Sequence, residues 1–509
     1  MKEVAGGTVR NQTLLMDANP KSKTFLENKV RIPAPLVLNE NGHETVGRER
    51  STDELIKSPR VFDIWKNYAQ CTTLHGLRHV VNSNTMKAQR ITWVVFIIIM
   101  LVVLVALTTT QISRFLQHHT VNKQYQTIAD RLEFPTVTIC SFNRVSDKSV
   151  EDPLTRSILR NIYVTGKANS TLLKDLDPKV TKSMNVTDIF IKGASKINET
   201  FLGCYWQNVQ IKCTDYFRYV YLSDRICFAF NSKEYIRETG KRLETVHTGG
   251  SDGLIVQMDA RQGDYFIGDS GAAGFKVLVH EPFQEPMVSK LGFAVSPGKS
   301  TFVAVKKTKL SFLPKPVKAF GNMECIDKIV RKLKYFDTYS YDACVEECAG
   351  DLIISECGCK EVLFPGNART CDPIELIGCV ETTKDTFSKT HCDCQMPCEV
   401  THYNVQLSTA LFPRVNFMRL IDEEKYNKIG SYENRVVQQY ISANWLEMRV
   451  YFDTKLYTVQ EQVPELTDAD LWASIGGYLG LFLGASIHSA LEFCEFLTYA
   501  TKYAYRRWK

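Results

Sequence analysis

A glycine-rich apolar segment near the end of the chain runs directly into acidic residues. Residues 475–492 read Ile-Gly-Gly-Tyr-Leu-Gly-Leu-Phe-Leu-Gly-Ala-Ser-Ile-His-Ser-Ala-Leu-Glu, and titratable side chains recur there at helical spacing as His488, Glu492 and Glu495. Because a carboxylate facing lipid is costly, this face is expected to line an aqueous path or a protein interior. Such a pattern indicates the attraction and partial dehydration of cations. A glycine-lined packing seam between membrane helices is the alternative interpretation.

Two apolar segments are long enough to place this pattern in a membrane. Residues 91–113 and 471–491 carry no formal charge, and each meets the ~20 residues that a helix needs to cross the hydrocarbon core. Basic residues precede the first segment at Lys87 and Arg90 and follow the second at Lys502, so the positive-inside rule places both termini in the cytoplasm. The predicted order is a disordered cytoplasmic tail 1–60, a cytoplasmic segment 61–90, a span 91–113, an extracellular region 114–470, a pore-lining span 471–496 and a cytoplasmic tail 497–509.

Cysteine usage agrees with an extracellular middle region. All of the 16 cysteines except Cys71 and Cys494 lie between Cys140 and Cys398. An even number of cysteines in an oxidising compartment predicts disulfides, here seven. Zinc would compete for the Cys-x-Cys pairs, but no histidine cluster accompanies them, so no metal site is expected. Sequons in the same region predict glycosylation at Asn169, Asn185 and Asn198.

The remaining patterns exclude several function classes. A formal net charge of +6 spread over 509 residues does not indicate a nucleic-acid partner. Ser251 lies in a Gly-x-Ser-x-Gly motif, but the motif precedes a predicted strand and does not link a strand to a helix, so it is interpreted as a turn. The chain is therefore not expected to be an enzyme or to bind a cofactor. The middle region is expected to be α+β, with strands at 134–140, 253–260, 276–280 and 445–452 and helices at 153–161 and 341–352.

Six motifs occur in an order and spacing that resemble one family. They are Thr73-Leu-His-Gly-Leu77, Phe134-Pro-Thr-Val-Thr-Ile-Cys140, Leu291-Gly-Phe-Ala-Val-Ser-Pro-Gly298, Tyr339-Ser-Tyr-Asp-Ala-Cys344, Cys392-Asp-Cys-Gln-Met-Pro-Cys398 and Gly480-Leu-Phe-Leu-Gly-Ala-Ser486. Together they resemble the degenerin and epithelial sodium channel superfamily, in its acid-sensing and peptide-gated branches. The resemblance implies a homo- or heterotrimeric, sodium-selective, usually amiloride-blocked channel of the plasma membrane. It also implies a disulfide-rich ectodomain of palm, finger, knuckle, β-ball and thumb, with the finger at about 141–213 and the thumb at about 325–398.

The resemblance assigns roles to residues of the pore. The selectivity filter would be an extended tripeptide that interrupts the second span, formed by Gly484, Ala485 and Ser486. His75 and Gly76 would form a re-entrant loop that supports the filter from the cytoplasmic side. Glu492 and Glu495 would be pore carboxylates, with Glu492 the more important for sodium preference.

The resemblance also implies a moving linker and a disulfide pattern. Lys455 and Leu456 would form the palm linker that flips during desensitisation. The implied disulfides are Cys140–Cys227, Cys204–Cys213, Cys325–Cys398, Cys344–Cys394, Cys348–Cys392, Cys357–Cys379 and Cys359–Cys371, of which the last five lie in the thumb.

The residues that sense acid in relatives are only partly present. Acid-sensing channels use clustered carboxylates between thumb and finger, whose mutual repulsion raises their pKa values. The matching finger segment, residues 266–274, contains one acid. Glu381 and Asp385 remain on the thumb side, and His118 and His119 remain at the wrist, where histidine titrates in a suitable range.

Two departures from the acid-sensing pattern favour a different stimulus. Gln117 and Val317 stand where acid sensors carry aromatic residues that couple the thumb to the pore. Asp470 lies four residues before Ser474 at the outer pore, as expected of FMRFamide-gated channels. A cationic, amidated peptide needs carboxylates and aromatic walls. The finger offers Asp147, Glu151, Asp152, Asp175, Asp177, Asp188, Phe142, Tyr163, Phe190, Tyr205 and Trp206.

We therefore predict a channel opened by an extracellular amidated neuropeptide of the FMRFamide type. Proton gating, bile-acid-type gating and a constitutive channel are the alternatives within the family. ATP-gated channels and scavenger-type receptors also have two spans, but neither explains Gly-Ala-Ser together with His-Gly. A non-conducting two-span receptor is the alternative outside the class. The predicted partners are further copies of the chain, sodium ions, the peptide, amiloride as a blocker and the lipid bilayer.

Overall fold

The structure is a computed structural model that describes residues 61–82, 85–164, 181–182, 184–268, 271–320, 323–387, 392–414 and 431–508. The predicted tail 1–60 lies outside these ranges. The helices are α1 (Val61–Cys71), α2 (Leu77–Val81), α3 (Lys87–Leu116), α4 (Pro153–Val164), α5 (Val186–Gly193), α6 (Ile197–Thr200), α7 (Cys213–Tyr216), α8 (Lys233–Thr239), α9 (Val288–Leu291), α10 (Tyr341–Cys357), α11 (Pro373–Glu375), α12 (Glu381–Thr386), α13 (Ser431–Asn444), α14 (Asp468–Leu483) and α15 (Ile487–Trp508). A π-helical segment, Leu376–Val380, joins α11 to α12.

Seventeen strands accompany these helices in the described ranges. They are β1 (Thr120–Ile128), β2 (Leu132–Glu133), β3 (Thr136–Ser141), β4 (Asn143–Ser146), β5 (Phe201–Trp206), β6 (Val209–Ile211), β7 (Phe217–Leu222), β8 (Arg225–Phe230), β9 (Glu244–Thr245), β10 (Leu254–Asp259), β11 (Tyr265–Gly268), β12 (Phe275–His280), β13 (Phe293–Val295), β14 (Lys299–Ser311), β15 (Glu399–Leu411), β16 (Trp445–Phe452) and β17 (Leu456–Pro464). The predicted strand 445–452 coincides with β16, and the other three predicted strands overlap β3, β10 and β12.

An eight-stranded sheet forms the centre of the ectodomain. Its order is β1-β17-β14-β16-β10-β5-β6, and β15 pairs with β14. Strand β14 runs parallel to both β16 and β17. Side chains alternate across a strand, so Leu446, Met448 and Val450 of β16 share one face, and all three are fully buried. This apolar face forms one side of the main core.

A five-stranded sheet, here named the β-ball sheet, has the order β13-β12-β3-β8-β7. Its residues Ile139, Phe228 and Val277 are buried in the same core as Val256 and Met448 of the central sheet. Phe134 joins the two sheets, because its ring meets that of Trp206 in the central sheet and that of Phe230 in the β-ball sheet edge-on. The two sheets therefore share one hydrophobic interior.

Seven disulfides connect the ectodomain, and they are the seven pairs that the resemblance implies. They are Cys140–Cys227, Cys204–Cys213, Cys325–Cys398, Cys344–Cys394, Cys348–Cys392, Cys357–Cys379 and Cys359–Cys371. Helix α10 begins where the Oγ of Ser340 accepts a hydrogen bond from the N–H of Ala343 at 3.1 Å, and it ends at Gly358, which has a φ of 67°. Helices α10 to α12 and the five disulfides around them are named the thumb.

Within the described ranges, two helical segments are long and apolar enough for a membrane span. Helix α3 qualifies alone and contains the predicted span 91–113. Residues 468–483 and 487–502 qualify only as a pair that is bent by 75°. The break between the two helices falls at residues 484–486, where the resemblance places an interruption of the second span. Strand β1 follows α3 and pairs along its length with β17, which precedes α14, so both helical segments leave the same end of the sheet.

Candidate pore and gating sites

The break between α14 and α15 depends on Gly484. Its φ of 64° lies in the left-handed region, which strains any residue with a side chain. The N–H of Gly484 donates to the carbonyl of Gly480 at 3.0 Å, and that of Ala485 donates to Leu479 at 3.2 Å, which closes the last turn of α14. The predicted tripeptide is therefore not extended at its first residue, because this residue ends the helix in a left-handed conformation.

The loop before the first apolar helix reaches this break. The N–H of His75 donates to the carbonyl oxygen of Leu483 at 2.8 Å. A Cβ at position 484 would lie only 2.6 Å from ring atoms of His75. Gly76 has a φ of 84°, and a Cβ there would lie 3.1 Å from Ile97 of α3. The structure thus brings the His-Gly loop and the predicted filter into contact.

The same loop holds one of the two predicted pore carboxylates. Oε2 of Glu492 accepts hydrogen bonds from Oγ1 of Thr72 at 3.0 Å and from the N–H of Thr73 at 3.1 Å. Nε2 of His488 lies 3.6 Å from Oε1 of Glu492. Glu495 is exposed on α15. The two carboxylates therefore differ in their surroundings, and the loop positions only Glu492 through these contacts.

The two residues predicted at the outer pore have different partners. Asp470 forms a capping box with Thr467: its Oδ2 accepts from the backbone N–H of Thr467 at 3.0 Å, and its own N–H donates to Oγ1 of Thr467 at 3.2 Å. Oγ of Ser474 accepts from Nε2 of Gln111 in α3 at 3.4 Å. Asp470 thus starts α14, and Ser474 contacts the first apolar helix.

The predicted desensitisation linker lies at the start of β17, next to the end of β1 that is farther from the apolar helices. The carbonyl oxygen of Lys455 accepts from the N–H of Ala129 at 3.2 Å, just after β1. Leu456 begins β17, is paired with Ile128 and is 40% exposed. A change of backbone conformation here would alter the pairing of β1 with β17.

The wrist is the junction between the end of α3 and the segment that leads into α14. It contains a small cavity of about 30 Å³, lined in part by His118, His119 and Val317. Arg114, in the last turn of α3, forms an ion pair with Glu465, and the N–H of Glu465 donates to the carbonyl of His119 at 2.8 Å. These contacts connect the end of α3 to the segment that leads into α14.

A larger cavity of about 440 Å³ lies between the thumb and the β-ball sheet. The lining side chains include Met287, Val288 and Phe336 as apolar walls. Four carboxylates from separate elements also line it: Asp224 between β7 and β8, Glu285 before α9, Glu346 on α10, and Glu361 after α10.

Each of these carboxylates has a cationic or hydroxyl partner. Lys384 of α12 pairs with Glu361, and Lys233 of α8 lies 3.4 Å from Glu285. Oγ of Ser223 donates to Glu346 at 2.7 Å, and Nζ of Lys290 lies 3.9 Å from the same carboxylate. Asp224 lies 2.8 Å from Arg225 and 3.4 Å from Arg144.

Burial separates the proton affinities of these acids. It raises the pKa of Glu285 and of Glu361 above the usual range, and for Glu361 the nearby Glu346 and Asp224 add to the increase. Burial also opposes the charge of Asp224, but Arg225 and Arg144 hold its pKa below the usual range. Glu285 and Glu361 therefore take up protons more readily on acidification than Asp224 does.

The predicted peptide-binding side chains that the structure describes do not line one open pocket. Phe142 is 8% exposed and Phe190 is 1% exposed, so the prediction that they form aromatic walls is wrong, because both side chains are packed inside the protein. Trp206 packs in the main core. Of the other described candidates, three acids have partners within the chain: Asp147 pairs with Arg156, Asp152 accepts from Thr155, and Asp188 pairs with Lys192. Glu151 is exposed, and Tyr205 is partly buried.

Several predicted positions are only partly described or lie outside the described residues. Asp175, Asp177 and Asn169 lie outside them, and the side chain of Tyr163 in α4 is likewise not described. Asn185 and Asn198 are exposed, and glycosylation at both stays a prediction. Among the described residues, the potential metal ligands that cluster are Cys359, Cys371 and Glu375, but the two cysteines form a disulfide.

Sequence reasoning missed the contacts that position Glu492 and the carboxylates of the large cavity. Thr72 and Thr73 flank a recognised motif, yet their distance in sequence from Glu492 hides the contact. Ser489 is also part of it, since its Oγ lies 2.6 Å from Oγ1 of Thr73. Glu285 and Glu361 carry no local signal, because their burial depends on elements that meet only in the fold.

The sequence is similar to those of known ion channels. The family model described as "Amiloride-sensitive sodium channel" matches residues 68–496. Acid-sensing ion channel 1 of Gallus gallus is 30% identical over 454 residues, which cover 84% of this chain and 82% of the relative. Acid-sensing ion channel 2 of Mus musculus is 30% identical over 455 residues, with 84% and 85% covered. A cryo-EM structure of a proton-activated chloride channel aligns at a TM-score of 0.29 and 7% identity, covering 79% of this chain and 96% of that one, which is too weak for any argument.

The family match extends from α1 to α15 and includes the His-Gly loop, the seven disulfides and the Gly-Ala-Ser break. The chain therefore belongs to the amiloride-sensitive sodium channel family, whose members are sodium-conducting channels of the plasma membrane and not enzymes.

Proposed function

We propose that this sodium channel is a trimer that opens when extracellular acid protonates carboxylates between the thumb and the β-ball sheet. In the proposed topology, α3 and the broken pair α14–α15 both cross the membrane, both termini are cytoplasmic, and residues 114–470 are extracellular. The observation that carries the gating proposal is the cavity of about 440 Å³ in which Glu285 and Glu361 have raised pKa values.

In the proposed pore, three copies contribute Gly484, Ala485 and Ser486 to a narrow ring. Backbone carbonyls in such a ring replace part of the hydration shell of a sodium ion. His75 supports the ring within each subunit through its contact with Leu483. Three copies of Glu492 add negative charge on the cytoplasmic side and raise the local concentration of cations.

The gating step follows from the charges that face the cavity. At neutral pH, Glu361 pairs with Lys384, and Glu285 pairs with Lys233. A raised pKa means that these carboxyls bind protons at a higher pH than exposed glutamates do. Protonation neutralises the carboxylate of each pair, so the surroundings of the cavity become more positive and the thumb is driven to a new position against the β-ball sheet. The change reaches the spans through the wrist contacts of Arg114 and Glu465.

Peptide gating is the competing outcome. It has less support, because Phe142 and Phe190 are buried and Asp147, Asp152 and Asp188 each have a partner within the chain. The relatives named acid-sensing ion channels also favour acid as the stimulus. Bile-acid-type and constitutive activity are further outcomes of the same test.

The test is to express the chain alone in oocytes and to apply acid steps and amidated peptides separately. We expect an acid step to evoke a current that reverses near the sodium equilibrium potential and is blocked by amiloride. A peptide-evoked current at neutral pH without an acid response would reverse the choice of stimulus. A current without any stimulus would indicate a constitutive channel, and surface protein without current under all conditions would contradict a homomeric channel.

A further inference from the structure

A tight turn between the palm and thumb helix α10 exposes two large apolar side chains. Ile329 is 84% exposed and Val330 is 76% exposed. Among the described residues outside α3, α14 and α15, Ile329 is the most exposed large apolar side chain. The turn is well defined, since Val330 donates its N–H to the carbonyl of Asp327 at 3.1 Å and Ile329 donates its N–H to Oδ1 of Asp327 at 3.0 Å. Exposed apolar side chains held in this way indicate a binding surface.

After Asp327, the turn continues into a basic segment. Residues 328–334 read Lys-Ile-Val-Arg-Lys-Leu-Lys and contain no acid. Two of the cations form ion pairs with acids of the thumb region: Arg331 lies 3.6 Å from Asp393, and Lys334 lies 3.0 Å from Asp351. Of the other two, Lys328 directly precedes the apolar pair, and Lys332 follows it after Arg331. Cations on both sides of exposed apolar residues are typical of segments that lie in the interface of a bilayer.

Backbone contacts place the turn near the spans. Ile326, just before the turn, accepts from the N–H of Cys398 at 2.9 Å, and Phe312 donates to the carbonyl of Cys398 at 2.8 Å. The next residue, Leu313, donates its N–H to Oε1 of Gln462 at 3.3 Å. These hydrogen bonds therefore link the start of the turn, through Cys398 and Leu313, to Gln462 on β17.

Gln462 lies close to the expected membrane surface. Glu465, three residues further along, is paired with Arg114 in the last turn of α3. At about 3.3 Å per residue, three extended residues span roughly 10 Å. Trp472, on the first turns of α14, is 71% exposed, as is common for tryptophan at a membrane interface. The turn thus starts within reach of the lipid headgroups.

We propose that the turn at residues 327–330, together with Lys332, docks on the outer leaflet of the bilayer. Ile329 and Val330 enter the interface, and Lys328 and Lys332 bind lipid phosphates. This contact fixes the base of the thumb to the membrane beside its own spans. The inference rests on the proposed topology, in which this segment is extracellular, but it does not depend on the stimulus that opens the channel.

The test uses the full-length channel in lipid vesicles, with Cys71 and Cys494 replaced by serine and a nitroxide attached to Ile329→Cys or Val330→Cys. Leu291→Cys is the matched control, because Leu291 is 60% exposed but lies in α9, beside the thumb and β-ball cavity. Collisions with oxygen, which enters the bilayer, are compared with collisions with a water-soluble nickel chelate.

We expect the ratio of oxygen to nickel collisions to be several-fold higher at positions 329 and 330 than at position 291. Equal ratios at the three positions would overturn the proposal. Protection of 329 and 330 from both reagents would also overturn it, because it would show that another protein surface covers the turn, either a second copy of the chain or a different partner.

Two vesicle compositions identify the lipid. A high ratio in phosphatidylcholine alone shows that zwitterionic headgroups suffice, and a high ratio only after addition of phosphatidylglycerol shows that net negative charge is needed. In the responsive composition, K328Q/K332Q should lower the ratio at position 329, and an unchanged ratio would refute the role of the lysines. Acid-evoked current is recorded on the same variants, so a docked turn in a channel that ignores acid would contradict the gating proposal alone.

Discussion

The ring of His75 lies against Gly484 so closely that a Cβ at position 484 would be 2.6 Å from ring atoms, although the two residues lie at opposite ends of the chain. The left-handed φ of Gly484 and this contact both require glycine. The loop before the first span and the break in the second therefore form one structural unit.

Substitution of Gly484 by alanine should abolish current while the protein still reaches the surface. The left-handed backbone costs roughly 1–2 kcal/mol for a residue with a Cβ, and the His75 ring must also move. Gly477→Ala is the matched control, because a Cβ there meets nothing within 4 Å. Current and surface labelling measure the outcome, and normal current through G484A would show that the contact is not needed in the open pore.

Changes at the filter and at the carboxylates below it should alter ion selectivity. A larger residue at Ser486 should shift the sodium to potassium ratio or abolish current. Glu492→Gln should reduce sodium preference, and Glu495→Gln should do less, since Thr72 and Thr73 hold only Glu492 in place. Reversal potentials in mixed sodium and potassium solutions measure these effects. Unchanged reversal potentials in all three variants would remove the pore assignment.

Substitution of Lys455 or Leu456 should change the decay of the current more than the midpoint of activation. The linker contacts the chain next to β1 and leads into β17, so it can move between states without touching the stimulus site. Decay constants and activation midpoints from the same cells separate the two effects. A shifted midpoint with unchanged decay would show that the linker has been misplaced.

Glutamine at Glu361 or Glu285 should shift acid activation toward neutral pH. Burial raises the pKa of both carboxyls, so both take up protons as pH falls, and glutamine imitates the protonated form at every pH. The shift should not exceed about one pH unit per group, which corresponds to about 1.4 kcal/mol. Glu356→Gln is the control, because Glu356 is an exposed glutamate on thumb helix α10. Equal midpoints in E361Q, E285Q and E356Q would contradict the gating proposal.

Gly253 should matter for folding, whereas Ser251 in the same motif should not matter for function. A Cβ at Gly253 would lie 2.0 Å from the carbonyl oxygen of Val450 in the neighbouring strand, so alanine there must displace the sheet. Gly253→Ala should therefore reduce surface delivery, and Ser251→Ala should leave delivery and current unchanged. A loss of current in S251A with normal delivery would reopen the interpretation of this motif as a simple turn.

Short-range patterns were enough to identify much of this molecule from its sequence. The apolar segment 91–113 lies within α3, because length and hydropathy are local properties. The strand expected at 445–452 is β16, since alternation of buried side chains is visible in eight residues. The motifs around the cysteines also carried the family resemblance, and through it the seven disulfide pairs that the structure contains.

Only the tertiary structure could decide which polar residues work together. The sequence predicts Glu492 and Glu495 as pore carboxylates, but only the fold places Thr72 and Thr73 against Glu492. Phe142 and Phe190 looked available to a ligand, but both are buried, a property that depends on elements far away in the chain. Glu285 and Glu361 are ordinary acids in the sequence. Their proton affinity is set by burial and by neighbouring charges, and these exist only once the thumb packs against the β-ball sheet.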